Sequence, residues 1–188
     1  MPHLIGLSGS LRSGSYNTAL LQAAVSLMPD GSELTVKTLH GIPLYDGDVE
    51  EKNFPPVVTA LKDLIAGADG LLLVTPEYNN SVPGVFKNAI DWLSRPGDDI
   101  PRVFGGKPVA VMGASPGGFG TVLSQNAWLP ILRTLETRPW FGDRLMISRV
   151  HQSLDASGRI TNPALEAQLR EFLAGFVRFT SGQVREKP

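Results

Sequence analysis

Two polar segments, each directly after a short apolar run, carry the residue types that hold a phosphate and a flat ring. The first, residues 9–17 (Gly-Ser-Leu-Arg-Ser-Gly-Ser-Tyr-Asn), lies where a strand ends and a helix begins. Free backbone N–H groups and the helix dipole favour an anion there, and Arg12 adds a fork of donors. Ser10, Arg12, Ser15 and Asn17 therefore predict a terminal-phosphate site. The alternative is an ordinary Ser/Gly turn with Asn17 as the helix N-cap.

The second segment, residues 75–83, is bracketed by Pro76 and Pro83, which stiffen a loop of polar side chains. A stiff loop can hold a planar ring, although a proline-bracketed turn without a ligand would have the same composition. A third loop, residues 113–120, is glycine-rich and permits either close approach to a ligand or a flexible turn. The three loops together predict a mononucleotide cofactor.

The elements that must position these loops alternate along the chain as short apolar runs and longer amphipathic stretches. This pattern predicts an α/β fold, a doubly wound, five-stranded parallel sheet with helices on both faces. The predicted strands are residues 4–8, 33–39, 70–75, 108–113 and 144–150. The predicted helices are residues 17–28, 55–66, 83–94, 120–137 and 163–182. Residues 94–107 are predicted as a surface loop, and the three polar loops fall at carboxyl ends of strands, where such sheets bind ligands.

Bulk composition limits the classes of protein. The 188 residues, 42% hydrophobic and 19% charged, predict one domain over residues 1–188. A net charge of −1 gives no reason to expect nucleic acid or an anionic membrane as a partner. Without cysteine there is no thiolate nucleophile, and the scattered His3, His40 and His151 predict neither a metal site nor catalysis. No apolar stretch is long enough to span a bilayer and no signal segment is recognisable, so we expect a cytoplasmic protein.

Three blocks of the chain carry a family resemblance. They are residues 9–17, residues 76–95 (beginning Pro-Glu-Tyr-Asn) and residues 106–109 (Gly-Lys-Pro-Val). They resemble the NADPH-dependent FMN reductase family of flavodoxin-like proteins, in particular its quinone and chromate reductase branch. The resemblance implies FMN as cofactor and NADPH or NADH as co-substrate. It implies that the cofactor is bound by Ser10, Arg12, Ser15, Tyr16, Asn17, Pro76, Glu77, Tyr78, Asn79, Ser115, Gly117 and Gly118.

The activity implied by the resemblance is hydride transfer from NAD(P)H through FMN to a quinone, azo, nitro or chromate acceptor, in ping-pong order. The chemistry is centred on the flavin, so no catalytic side chain is assigned. The alternative is a flavodoxin-like electron carrier that does not oxidise NAD(P)H. Relatives form homodimers or homotetramers with the flavin near a subunit interface, to which Trp92, Asn126, Trp128 and Arg133 could contribute. Buried core is the competing interpretation of both tryptophans.

Overall fold

A computed structural model describes residues 1–155 and 157–182 of the chain. Its strands are β1 (His3–Ser8), β2 (Glu33–Thr38), β3 (Gly70–Val74), β4 (Pro108–Ala114), β5 (Arg138–Pro139) and β6 (Leu145–Ile147). Its helices are α1 (Tyr16–Val25), α2 (Gly47–Lys52), α3 (Pro56–Ala66), α4 (Gly84–Leu93), α5 (Ile100–Val103), α6 (Val122–Thr134) and α7 (Pro163–Thr180). The domain predicted over residues 1–188 also includes residue 156 and residues 183–188, which lie outside the described residues.

A single parallel sheet forms the centre of the fold. The strands follow the order β2-β1-β3-β4, and both β5 and β6 pair with β4. Helices α1 and α7 pack on one face, while α3, α4 and α6 pack on the other. This is the flavodoxin-like order of a doubly wound sheet, so the predicted α/β fold is confirmed.

The central strand β3 explains why its sequence is a continuous apolar run. All five of its residues are buried. Leu71 and Leu73 contact the cluster under α3, α4 and α6, whereas Leu72 and Val74 contact the cluster under α1 and α7. Successive side chains point to opposite faces, and both faces are covered here. Strand β2 is an edge strand of the sheet, and only one of its six residues is buried.

The fifth strand was predicted incorrectly as one run over residues 144–150. Its position is occupied by two short strands, of which β5 pairs with the start of β4 and β6 with the end. Between them the Trp140 ring packs against Phe172 and Phe176 of α7, at centroid distances of 5.0 and 5.7 Å. Trp140 N still donates to the Val109 carbonyl at 2.8 Å, and the chain leaves the ladder after this residue, whose ring is partly buried against α7.

The connection over residues 94–107, predicted as a surface loop, is partly buried. It contains a 3-10 turn and α5, and Val103 and Phe104 are core residues. The buried ammonium of Lys62 on α3 donates to the Arg95 carbonyl and forms an ion pair with Asp99 at 2.7 Å. A buried ammonium requires such partners, and meeting that requirement fastens the connection to the core.

The sequence left two interpretations of Trp92 and Trp128, the buried core or a subunit interface. Both tryptophans are core residues. Trp92 is fully buried and donates through Nε1 to the Pro43 carbonyl at 2.9 Å. Trp128 is also fully buried, with its ring edge against Phe86 at 4.8 Å. Asn126 and Arg133 on the same helix as Trp128 are exposed. Of the four residues named for a possible interface, Asn126 and Arg133 therefore remain available for contacts with another subunit.

The described residues contain neither a membrane span nor a metal-binding cluster. Over residues 1–155 and 157–182, no helix has the length and apolarity to cross a bilayer. The same residues include no group of three or more His, Cys, Asp or Glu side chains placed to hold a metal ion. Two of the histidines instead contact threonine hydroxyls, His3 with Thr35 at 2.8 Å and His40 with Thr38 at 3.0 Å.

Candidate functional site

The three polar loops meet in a cleft of about 240 Å³ at the carboxyl ends of β1, β3 and β4. The cleft is lined by Ser10, Arg12, Ser15, Tyr16, Asn17, Pro76, Glu77, Tyr78, Ala114, Ser115 and Pro116. Nine of the twelve predicted site residues are among them. The other three, Asn79, Gly117 and Gly118, lie in the same loops outside the lining. Ala114 and Pro116 were missed, although they flank Ser115 in the sequence.

The first loop ends at a helix N-terminus with free donors. Ser15 is the N-cap of α1, and its Oγ accepts from Thr18 N at 3.2 Å. The alternative interpretation, with Asn17 as the cap, is therefore wrong. The backbone N–H groups of Tyr16 and Asn17 have no acceptor among the residues that the structure describes. Unpaired N–H groups at a helix start attract an anion, and the helix dipole adds to that attraction.

Arg12 lies beside this helix start. Its guanidinium is 5.7 Å from the centroid of the Tyr16 ring and donates to the Gly14 carbonyl. Within the described part of the chain, Arg12 has no carboxylate within ion-pair distance. Its backbone N–H bonds to Ser10 Oγ at 3.3 Å, which shapes the turn. The cleft therefore has a cation that no carboxylate of residues 1–155 or 157–182 neutralises.

His40 supports the first loop, a role that the sequence did not indicate. Its Nε2 donates to the Leu11 carbonyl at 3.1 Å, from a position just beyond the end of β2. The contact joins residues 29 positions apart, so no local pattern could have identified it. It fixes the backbone immediately before Arg12.

The second loop is a tight hairpin. Tyr78 and Ser81 exchange two backbone hydrogen bonds, at 3.2 and 3.1 Å. The two residues between them, Asn79 and Asn80, have positive φ angles of 50° and 61°. Positive φ at both central positions is characteristic of the type I′ turn, which asparagine tolerates better than most residues. Tyr78, half exposed, is thus held at the rim of the cleft by a rigid turn.

Glu77 joins the second loop to α6. Its Oε2 accepts from the backbone N–H groups of Leu123 and Ser124, at 2.8 and 3.0 Å. Thr121, the N-cap residue of α6, makes no side-chain capping bond of its own. A carboxylate from another part of the chain therefore caps this helix and complements its dipole. A second bond, between Thr75 Oγ1 and Ser124 Oγ at 2.9 Å, fastens the same two elements.

The third loop turns back on itself beside the cleft. Ser115 Oγ accepts from Gly117 N at 3.0 Å, and the Gly117 carbonyl accepts from Arg149 N at 3.0 Å. A Cβ at Gly118 would meet no atom within 4 Å, so this glycine borders open space. Phe119 is 84% exposed at the tip of the loop. The loop thus offers backbone and hydroxyl groups at its base and an apolar side chain at its tip.

A larger groove, of about 940 Å³, runs along α1 on the far side of Tyr16. Its charged groups are paired with other protein groups, Arg159 with Asp155 at 2.9 Å and Glu166 with Arg170 at 3.0 Å. The smaller cleft has unpaired donors and a free guanidinium, so it is the better candidate for the binding of an anionic ligand. Size alone would have selected the wrong cavity.

Comparison with known proteins agrees with this geometry. The family described as NADPH-dependent FMN reductase matches residues 2–152. An NAD(P)H-dependent FMN reductase of Pseudomonas aeruginosa is 45% identical over 170 residues, covering 90% of this chain and 88% of that protein. A 2-hydroxy-1,4-benzoquinone reductase of a Burkholderia species is 40% identical over 165 residues, covering 88% of each. This chain belongs to the NADPH-dependent FMN reductase family.

A solved structure agrees with the assignment. A flavoenzyme NAD(P)H:(acceptor) oxidoreductase of Paracoccus denitrificans superimposes with a TM-score of 0.87 at 32% identity. The match covers 97% of this chain and 99% of the other. Almost the whole fold is therefore shared with a flavoenzyme.

The Glu77 cap predicts a measurable contribution to stability. We expect Glu77→Ala to lower the free energy of unfolding by about 0.5–2 kcal/mol, as for the loss of other helix caps. Glu77→Gln keeps an acceptor oxygen and should lose less. Urea unfolding followed by circular dichroism measures both, with Glu171→Ala, an exposed glutamate on α7, as the control. Equal stability of Glu77→Ala and the unmodified protein would contradict the capping role.

Proposed function

We propose that this protein is an FMN-dependent NAD(P)H oxidoreductase that reduces small acceptors in ping-pong order, working as a single domain. The acceptor classes are quinones, azo and nitro compounds and chromate, with quinones first because a relative at 40% identity is a benzoquinone reductase. The observation that carries the proposal is the anion site at the start of α1. It combines free N–H groups with an unpaired Arg12 in a family of FMN reductases.

The donor set of the first loop fits the phosphate of FMN. Ser10 and Ser15 contribute hydroxyls, Tyr16 and Asn17 contribute backbone N–H groups, and Arg12 contributes a guanidinium. These groups supply positive charge and donors but no carboxylate, which is what a phosphate dianion requires. The same groups would hold the phosphate end still while the ring is being reduced and oxidised.

The second and third loops would hold the isoalloxazine ring. Pro76 to Asn79 would lie along it, on a hairpin that has little freedom to move. Ser115, with Gly117 and Gly118 beside it, would face the pyrimidine end. The Ser115 hydroxyl can donate there, because its oxygen already accepts from Gly117 N. Fixed donors aimed at developing negative charge stabilise it at no cost of reorganisation.

FMN, when bound, supplies the hydride chemistry by accepting a hydride from NAD(P)H and passing electrons to the acceptor. The chain's contribution to the ping-pong order is an open rim. Tyr78 is half exposed at the rim of the cleft, so flat partners can reach it. Because the donor and the acceptor would reach the same cleft, they would alternate. We place the protein in the cytoplasm, where NAD(P)H is abundant.

The protein would act as a homodimer or homotetramer. The outward surface of α6 and its neighbours exposes five large apolar side chains, a concentration that marks an interaction surface. They are Phe119, Val122, Leu123, Leu129 and Phe141. Asn126, also exposed on α6, lies among them. A subunit packed there would lie next to the third loop.

The cofactor and the donor are tested first. The purified protein, soaked in FMN and desalted, should keep the flavin absorption bands, and NADPH should bleach them in an anaerobic stopped-flow experiment. Added benzoquinone should then restore the bands. A colourless protein would overturn the proposal, whereas retained FMN that NADPH does not bleach would identify an electron carrier.

Arg12 is expected to contribute directly to phosphate binding. Arg12→Ala should weaken FMN binding by about 1.5–3 kcal/mol, the value of a hydrogen bond to a charged group, and leave the fold intact. Riboflavin, which has no phosphate, should bind equally well before and after the change. Flavin fluorescence quenching measures both affinities, and an unchanged FMN affinity would show that the phosphate binds elsewhere.

The proposed subunit interface can be broken by a charge on α6. Leu129 is 42% exposed, and Leu129→Lys should shift the mass measured by light scattering towards that of one chain. Leu64→Lys places the same charge at a leucine of similar exposure on α3 and should leave the mass unchanged. An unmodified protein that already has the mass of a single chain would refute the interface.

A further inference from the structure

The side chain of Asn17 makes a two-way contact with the backbone of a residue 97 positions away. Its Nδ2 donates to the Ala114 carbonyl at 2.8 Å, and Ala114 N donates to its Oδ1 at 2.9 Å. Asn17 is only 4% exposed. A side-chain amide that both donates to and accepts from one residue imitates the peptide group of a neighbouring strand.

Strand β3 ends before it reaches Ala114, and the side chain of Asn17 occupies the position that its next peptide group would take. Strand β3 pairs with β4 as far as Val74 and Met112, and Thr75 N still donates to the Met112 carbonyl at 2.9 Å. The chain then turns away at Pro76, which has no N–H to offer. Ala114 lies two residues beyond Met112, so its N–H and carbonyl face the same side, where β3 has ended. On the other side Ser115 N is already bonded to the Ile147 carbonyl at 2.9 Å.

We infer that Asn17 is a positioning residue that replaces the missing strand and ties the first loop to the third, instead of a ligand of the phosphate. The carboxamide Oδ1 and one Nδ2 hydrogen are bonded to Ala114, whereas Arg12, Ser10 and the free N–H groups of the α1 terminus remain open to an anion. The inference rests on the proposed function, because it concerns the two ends of an FMN site. It assigns different roles to two groups of Asn17: the side chain binds Ala114, and the backbone N–H remains a phosphate ligand.

The side chain of Asn17 therefore fixes the position of the first loop relative to the third loop, and these loops form the two ends of the site. Ala114 directly precedes Ser115, and Asn17 lies in the first turn of α1. Removing the amide leaves a buried N–H and carbonyl unpaired and frees the two loops to shift relative to each other. A shift between the loops affects any ligand that spans them, and also a ligand that binds only at the ring end.

The experiment compares FMN with riboflavin, which shares the ring but lacks the phosphate. For a positioning residue, Asn17→Ala should weaken both ligands by the same factor, on the order of tenfold. Asn17→Asp, of equal size, keeps the bond to Ala114 N but sets an oxygen against the Ala114 carbonyl, so it should also weaken both. Arg12→Ala provides the opposite pattern, a loss for FMN alone. The visible circular dichroism of FMN at saturation should change in the Asn17 variants and stay unchanged in Arg12→Ala.

Thr18→Ala is the matched control. It removes the bond between Thr18 Oγ1 and Ser8 Oγ, 2.7 Å long, in the same turn of α1 but without a link to the third loop. Both flavin affinities should be unchanged. An equal loss of both in this variant would mean that any damage to the turn has the same effect, and would overturn the specific role of Asn17.

A measurement without ligand covers the remaining outcomes. In the unmodified protein, hydrogen exchange at the Ala114 amide should be as slow as at the Met112 amide, although β3 does not extend beside Ala114. Rapid exchange would overturn the inference, as would a loss of FMN affinity in Asn17→Ala that riboflavin does not share. If the unmodified protein bound neither flavin, the proposed function would fail. The exchange rate of the Ala114 amide alone would then decide whether the contact between Asn17 and Ala114 protects it.

Discussion

The parallel pairing of β1 with β3 is the constraint on which the site depends. The chain leaves β1 for β2 on one side and leaves β3 for β4 on the other, so the carboxyl ends of β1 and β3 lie at the point where the strand order reverses. No crossover covers that point. Gly9 N continues the pairing one step further by donating to the Val74 carbonyl at 2.9 Å. The first two loops are thereby rooted side by side, and the third is rooted on the adjacent β4.

Two helix N-termini approach this point, and the chain treats them differently. The start of α6 is capped by Glu77, which occupies two of its N–H groups and complements its dipole. The start of α1 keeps the N–H groups of Tyr16 and Asn17 free, with the Arg12 cation beside them. An anion therefore meets one vacant helix terminus and one that already holds a carboxylate. Under the proposed function, this difference would orient FMN with its phosphate at α1 and its ring towards α6.

Much of the fold was predictable because short local patterns in the sequence specify its strands and helices. The apolar run of β3 and the prolines before α3 and α4 each identify an element from a few adjacent residues. The split of the fifth strand was not predictable, because it results from the contact of Trp140 with α7. The site divides in the same way: the loops follow from composition, whereas the bonds that Asn17, His40 and Glu77 make join residues 97, 29 and 46 or more positions apart. The roles of these side chains are settled by topology, which a single sequence does not display.

The chemistry expected of such a cleft follows from the contacts that its side chains make within the protein. Among the described residues that line it, Glu77 is the one carboxylate, and its Oε2 is bonded to two backbone N–H groups. Arg12 lies over Tyr16 at the end where the phosphate would bind. Selectivity for an acceptor requires polar groups that would be left unpaired by the wrong molecule, and the exposed rim offers mainly the ring of Tyr78. Under the proposed function, such a site would hold its cofactor by specific contacts and select acceptors by flatness and size, which favours a broad range of acceptors.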